Sequence, residues 1–274
     1  MSIGHIGLIL ATTLAASWST AAGVGAPDYP DGILGIPLNI SAGGGVDQWN
    51  NRDYEARDNG TTEVGTTTLD FDTYYARVAV YVGDIPLIGG VEVYGKFGAA
   101  EADITVDSGY VGSTPANFDL ETRMEDFYAY GARWQKTFES NWGVGVAAEW
   151  MDFDADVDSM SYRTDTGTPV PHNIEGSVDI NETQYAAYVS YTILEIVKPY
   201  VGVRYSESDY LTDDVRGTVG SGQEAMPDVT GEAEDNFGGF AGVDVALLGD
   251  HIGANLEIAG GDYTELSGNV RLSF

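Results

Sequence analysis

From Leu34 onward, apolar and polar residues alternate with a period of two, and the pattern recurs ten times. Such alternation places one face of an extended chain in an apolar medium and the other in a polar one. It predicts strands near 34–47, 70–82, 91–104, 124–137, 142–156, 182–193, 199–210, 235–247, 251–259 and 264–274. In the second, Tyr74, Ala76, Val78, Val80 and Val82 share one face, and Tyr75, Arg77 and Tyr81 the other. In the fifth, Trp142, Val144, Val146, Ala148 and Trp150 oppose Gly143, Gly145 and Glu149. The connections alternate in length. Polar stretches near 48–69, 105–123, 158–181 and 211–234 read as long loops, and 83–90, 138–141, 194–198 and 248–250 as short turns.

The last strand carries a further signal. Leu266, Gly268, Val270, Leu272 and Phe274 alternate with Ser267, Asn269, Arg271 and Ser273. This segment resembles the terminal strand of bacterial outer-membrane β-barrel proteins, including small and porin-like barrels. The Gly preferred in that family lies one position out of register, at Gly268, with Asn269 in its place. The resemblance implies an all-β, transmembrane, antiparallel up-and-down barrel of about ten strands (eight to twelve) in the outer membrane of a Gram-negative cell. It implies that Val270, Leu272 and Phe274 are the assembly signal read by the barrel assembly machinery, and that membrane lipids and lipopolysaccharide are partners.

Several independent features fit. Apolar segments of about 9–11 residues match a tilted membrane strand, and short turns alternating with long loops match a barrel. An even number of strands returns both ends to the same side. Trp134, Trp142, Trp150, Tyr205 and Phe274 fall near strand ends, where interfacial girdles form. The soluble alternative, a sandwich or a solvent-exposed barrel, needs a second sheet to cover the same apolar faces. Ahead of the barrel, Ile6–Ala16 is a short apolar core followed by Ser19, Thr20, Ala21 and Ala22. This reads as a signal peptide over 1–22, although its first residues hold His5 and no Lys or Arg. Residues 23–33 then form a periplasmic lead-in and 34–274 the barrel.

Charge changes the picture next. The 274 residues hold 12 Lys and Arg against 43 Asp and Glu, a formal charge of −31. This excludes a nucleic-acid partner, which needs a basic face. With no Cys there is no disulfide or thiolate metal site. By strand phase, Arg77, Lys96, Arg133, Arg204 and Arg271 face inward with Glu92, Glu149, Asp244 and Glu257. Those signs nearly cancel, so the excess acid is expected in loops and rims. Inward Tyr75, Tyr94, Phe127, Tyr188, Tyr200 and Phe240 meet inward Gly143, Gly145, Gly202, Gly238 and Gly242, large against small, as in a filled narrow barrel.

Candidate chemistry is sparse. Asp152, Asp154, Asp156 and Asp158 recur at every second residue, outward and just above Trp150. A calcium-loop motif fails, because Val157 and Arg163 stand where Gly and Glu are required. A weak Ca²⁺ or Mg²⁺ site is the sharper reading and a solvated rim the plainer one; no other cofactor is implied. His172 with Asp165 or Asp179 could be set as a protease-like pair, but no hydrolase motif surrounds them. The expectation is a non-enzymatic, monomeric barrel with a structural or surface-interaction role, acidic extracellular loops and a largely filled lumen. The alternative is a narrow porin-like channel for small solutes or ions, and an outer-membrane hydrolase ranks third.

Overall fold

The computed structural model describes residues 38–58, 62–85, 88–111, 114–163, 171–193, 196–219, 222–225, 228–233, 236–247, 251–261 and 263–274. The expected leader, the lead-in and the first four residues of the expected first strand lie outside them. Thirteen strands are seen among the described residues: β1 (Leu38–Asp58), β2 (Thr62–Ile85), β3 (Gly89–Val111), β4 (Thr114–Thr122), β5 (Glu125–Thr137), β6 (Trp142–Arg163), β7 (His172–Tyr191), β8 (Val197–Val219), β9 (Gly222–Ala225), β10 (Val229–Ala233), β11 (Phe237–Leu247), β12 (Ile252–Gly260) and β13 (Thr264–Ser273). Every pairing is antiparallel, and the sheet closes on itself where β13 meets β1, from Ser41↔Ser273 to Asn50↔Thr264. Phe274 continues that seam: its N–H donates to the Ile40 carbonyl at 2.9 Å.

The barrel has two storeys. In the lower one, at the end where β1 begins and β13 finishes, ten strands form the ring: β1, β2, β3, β5, β6, β7, β8, β11, β12 and β13. The β12–β13 hairpin is short. Above it β10 bridges directly from β8 to β1, pairing Glu232 with Asp209 and Tyr54 with Ala233. The upper ring therefore has eight strands: β1, β2, β3, β4, β6, β7, β8 and β10.

The expected long loops are corrected here. Much of 48–69, 105–123, 158–181 and 211–234 is strand, and β2, β3 and β8 reach 24, 23 and 23 residues. That is roughly twice what a tilted strand needs to cross a membrane. The physical reason is an inversion. Along β6, the lower outward face carries Val146 and Trp150 and the inner face Gly145 and Glu149. Past Trp150, Asp152, Asp154 and Asp156 stay outward, whereas Met151, Phe153, Ala155 and Val157 are buried. The period of two persists while the medium outside changes from lipid to water. Acidic extracellular loops become acid-faced strands.

The lower exterior is an apolar belt. Val78, Val80, Val91, Val93, Val201, Val203, Ile258, Val270 and Leu272 are exposed on it. Such a continuous apolar band on a soluble protein would drive association; around a closed barrel it is the lipid-facing surface. Aromatic residues edge it. Trp142 lies 5.1 Å from Tyr191 near the lower rim, and Tyr130 stacks on Trp150 near the upper one. The lower storey is thus the membrane-spanning part of a transmembrane β-barrel.

Turn chemistry is local and legible. Asn141, with φ of 65°, closes the β5–β6 turn, where its N–H donates to the Phe138 carbonyl at 3.0 Å. Asn tolerates this left-handed conformation better than most residues. Asn51, with φ of 57°, marks a bulge in β1 between Trp49 and Arg52. There the inward parity moves from odd to even residues, which turns Arg52, Tyr54 and Ala56 into the barrel.

Candidate functional site

The interior is the natural place for a function, and it differs by storey. In the lower storey, seven bases (Arg52, Arg77, Lys96, Arg133, Lys198, Arg204, Arg271) and seven acids (Asp47, Glu92, Glu149, Glu182, Asp244, Glu257, Glu265) are buried or nearly so among the described residues. They cancel, so among the described residues the lumen adds nothing to the formal charge of −31.

These charges sit in clusters. Glu92 accepts from both Arg77 and Arg133, the latter at 2.5 Å. Lys96 donates to Glu149 at 2.8 Å and to Asp47 at 3.3 Å, and the Tyr94 hydroxyl donates to the other Glu149 oxygen at 2.7 Å. Arg204 pairs with Glu265. Arg271 lies 3.6 Å from Asp244, which accepts from Asn255; Asn255 also donates to the Tyr200 hydroxyl, and that hydroxyl donates to Glu257 at 2.7 Å. All nine residues assigned to an inward charge network by sequence are therefore inside the barrel. Arg133 and Glu149, adjacent in the sheet, each have a different partner.

Sequence reading missed Asp47, Arg52, Glu182, Lys198 and Glu265. Glu182 shares parity with Gln184 and Tyr188, and Glu265 with Ser267 and Arg271, so the phase of each strand could have found them. Arg52 lay hidden behind the β1 bulge. It caps the polar storey: its two terminal nitrogens donate to Glu182 and Ser206, each at 2.6 Å, and its guanidinium lies 4.7 Å from the Tyr263 ring.

Aromatic side chains lie beside these clusters, over glycines of neighbouring strands. The hydroxyl ends of Tyr94, Tyr188 and Tyr200 fill the positions that a Cβ on Gly131, Gly145 and Gly242 would take. Each glycine here is required by close approach, since any side chain would collide with a ring.

Above Arg52 the interior becomes apolar. Tyr54, Leu69, Phe71, Ile104, Phe118, Leu120, Phe127, Phe153, Val178, Ile180 and Tyr210 form one continuous cluster. Phe71 packs edge-on against Phe153 with centroids 5.1 Å apart, and Tyr54 against Tyr210 at 5.2 Å. Eight strands leave a bore that side chains can fill. The Tyr210 hydroxyl donates to Thr67 at 2.8 Å, and the Tyr54 hydroxyl shares a hydrogen with Ser208 at 2.8 Å, so their polar tips are satisfied. The upper storey thus encloses an apolar core formed by side chains of the wall itself.

The exterior of that storey is acidic, and its acids face one another. Asp70 is opposite Asp103, Asp103 opposite Glu121, Asp72 opposite Glu101, Asp154 opposite Asp179 and Glu55 opposite Glu232. Like charges directly across a sheet are destabilising. Partial burial, then Glu121 and Glu101, raise the carboxyl of Asp103 above its usual range. Partial burial, then Asp154 and Asp152, do the same for Asp179.

Asp152, Asp154, Asp156 and Asp158 form the outward row expected for them. Arg123 lies beside the last two, at 3.6 Å from Asp156 and 3.1 Å from Asp158. Among the described residues no three metal-ligating side chains converge. His172 stands opposite Thr218, seven residues along β7 from Asp179, or roughly 23 Å, so those two are not brought together. Asp165 lies outside the described residues. Val270, Leu272 and Phe274 all face outward on the lower belt.

No protein-family model and no curated protein matches the chain. Solved structures do. The translocator domain of the autotransporter NalP from Neisseria meningitidis is 11% identical, with 98% of this chain and 95% of that one covered and a TM-score of 0.46. The outer membrane protease OmpT from Escherichia coli is 12% identical, with 86% and 96% covered and a TM-score of 0.48. The outer membrane protein OprG from Pseudomonas aeruginosa is 10% identical, with 87% and 97% covered and a TM-score of 0.39. At such identities residue roles do not transfer. The closed antiparallel ring, its apolar belt and its polar interior make this chain a transmembrane β-barrel of the outer-membrane type.

Proposed function

We propose that this chain is an integral protein of the bacterial outer membrane that acts as a closed structural or surface-interaction element, not as a conduit. The supporting observation is the apolar cluster around Phe71, Phe118 and Phe153 above the ion-paired lumen. Ions moving along the axis would have to cross a bore filled with apolar side chains, where an unpaired charge is strongly disfavoured. The acid-faced cylinder then projects beyond the membrane as a rigid negative surface, able to meet basic partners and to repel anionic ones. Of the two candidate partners of His172, Asp179 is far along the strand and Asp165 lies outside the described residues.

Planar bilayers test this reading. Purified protein is expected to give no steady single-channel steps. Regular steps in the parent that change ion selectivity in Glu92→Gln or Lys96→Gln would establish the alternative, a narrow porin-like channel.

A further inference from the structure

On the outer wall, at the boundary between apolar belt and acidic cylinder, lies a recess of about 240 Å³ lined by Tyr130, Trp150, Asp152, Asn181, Thr183, Glu207 and Asp209, with edges of Met151 and Glu182. Its shape follows from register. Tyr130, Trp150, Thr183 and Glu207 are successive partners across β5, β6, β7 and β8, and Asp152, Asn181 and Asp209 are partners in the next outward row above. Rows are about 6.5–7 Å apart and strands about 4.8 Å apart. Short Thr183 and Asn181 thus form a floor between two taller walls. One wall is the Trp150 indole stacked on Tyr130, with centroids 5.5 Å apart and planes 19° apart. The other is Glu207 and Asp209.

We propose that this recess binds an organic cation, an alkylated ammonium group, by combining an aromatic face with three carboxylates. An ammonium over an indole ring is attracted by the ring's negative face, and methylated ammonium ions favour such walls because they are weakly hydrated. Asp152, Glu207 and Asp209 supply the compensating charge. Among the described residues, no Lys or Arg lines the recess. Phosphate-bearing ligands are excluded by the same carboxylates. Glu207 is held in place: the Tyr205 hydroxyl donates to it at 2.8 Å. Directly below, Tyr185 stands opposite Tyr205, and the indole of Trp150 meets the Tyr185 ring edge-on at 6.5 Å. These rings lead down onto the exposed Val203 of the belt. A cation carried on an alkyl chain would therefore seat its head in the recess and lay its tail on the apolar wall. A free ammonium ion would use the head site alone.

The test uses the whole folded protein in a neutral sugar-headed detergent. Tryptophan emission is followed during titration with tetramethylammonium chloride, against sodium chloride at equal ionic strength. A second titration adds dodecyltrimethylammonium at constant total detergent. A saturable change absent with sodium is expected, lost in Trp150→Leu. The half-saturation concentration should rise roughly tenfold in Asp152→Asn/Glu207→Gln/Asp209→Asn, equivalent to one aromatic-assisted ion contact. These side chains project from the outer wall, so heat-modifiable gel mobility should stay as in the parent. Asp209→Asn alone should show a smaller rise and guards against misfolding of the triple variant. A response to tetramethylammonium identifies a soluble cation as sufficient. A response only to the dodecyl compound identifies a membrane-borne one. Equal titrations of parent and neutralised variants, or the same change with sodium, would overturn the proposal.

Discussion

The two storeys solve opposite problems with one wall. Below, the exterior meets lipid, so Val78, Val80 and Val203 face out, and the lumen holds seven bases against seven acids among the described residues. Above, the exterior meets water, so acids face out and Phe71, Phe153 and Tyr210 fill the bore. The lower interior relies on directional pairs whose loss strands a charge. The upper relies on non-directional packing, whose loss leaves a cavity. One residue-by-residue alternation thus serves both, with hydrophobicity inverted about a plane near Trp150 and Arg52.

The largest effect should come from splitting a lower pair. Glu92→Ala removes the acceptor shared by Arg77 and Arg133 and should destabilise the barrel by about 3–5 kcal/mol. Denaturant titration in detergent checks this. Glu92→Leu at the same site leaves both guanidinium groups equally stranded, so it should not recover the loss.

Phe153→Ala should cost about 3–4 kcal/mol, through lost transfer energy and a residual cavity. Its signature is regional. Hydrogen exchange should speed up in the upper parts of β2, β5 and β6, while amides near Ser41 and Arg271 stay protected. Uniform loss throughout would show that the storeys unfold as a single unit.

A packing probe reads the lower storey without touching charge. Gly145→Ala drives a methyl into the Tyr188 ring, and overpacking of this kind costs about 1–3 kcal/mol. Gly145→Ala combined with Tyr188→Leu, which removes the ring atoms that the methyl meets, should recover part of the loss.

A smaller, pH-dependent term belongs to the upper storey. Because Asp103, Asp179 and Asp209 have raised carboxyls in the fold, the native state holds more protons than the unfolded chain over that window. Stability of this region is therefore fully favoured below the ordinary Asp value of 3.8 and declines as pH rises through the raised values. Asp103 faces Asp70, Asp72, Glu101 and Glu121; Asp179 faces Asp152, Asp154 and Asp213; Asp209 faces Glu232. Regional hydrogen exchange should slow from pH 7 toward pH 4, and added salt at pH 7 should act in the same direction. The effect should shrink when Asp103, Asp179 and Asp209 are all Asn.

The smallest effect concerns Asp152, Asp154, Asp156 and Asp158. We propose that divalent cations in lipopolysaccharide-containing membranes offset their repulsion, so chelation should lower the melting temperature there more than in plain detergent. The four-fold Asn variant should lose that difference. Equal losses in variant and parent would identify the row as a solvated rim.

Much of the lower storey was legible in sequence, because lipid outside forces every second residue to be apolar. Ile258, Val270 and Leu272 could hardly signal otherwise. The ten-strand ring and the inward Arg77, Glu92 and Arg204 follow from the same count. The upper storey was not legible because Asp, Thr and Gly raise the average polarity of 48–69 and 211–234 to that of a loop. Tyr54, Leu69, Val215 and Val229 were nevertheless spaced within those stretches for burial. The recess beside Trp150 escaped for another reason: it depends on cross-strand register, which brings Glu207 and Asp209 to β6 through β7. No single strand contains that information.

The narrowing from ten strands to eight gives the molecule two independent clasps. The collar above is fastened by Tyr54–Asp58 against Val229–Ala233, and the skirt below by Ser41–Asn50 against Thr264–Ser273. Take the β12–β13 hairpin away and every rung of the collar is still present. The hairpin is therefore a gusset, let into a tube already joined overhead, and the diameter of the membrane portion can change with it while the outer cylinder keeps its own circumference.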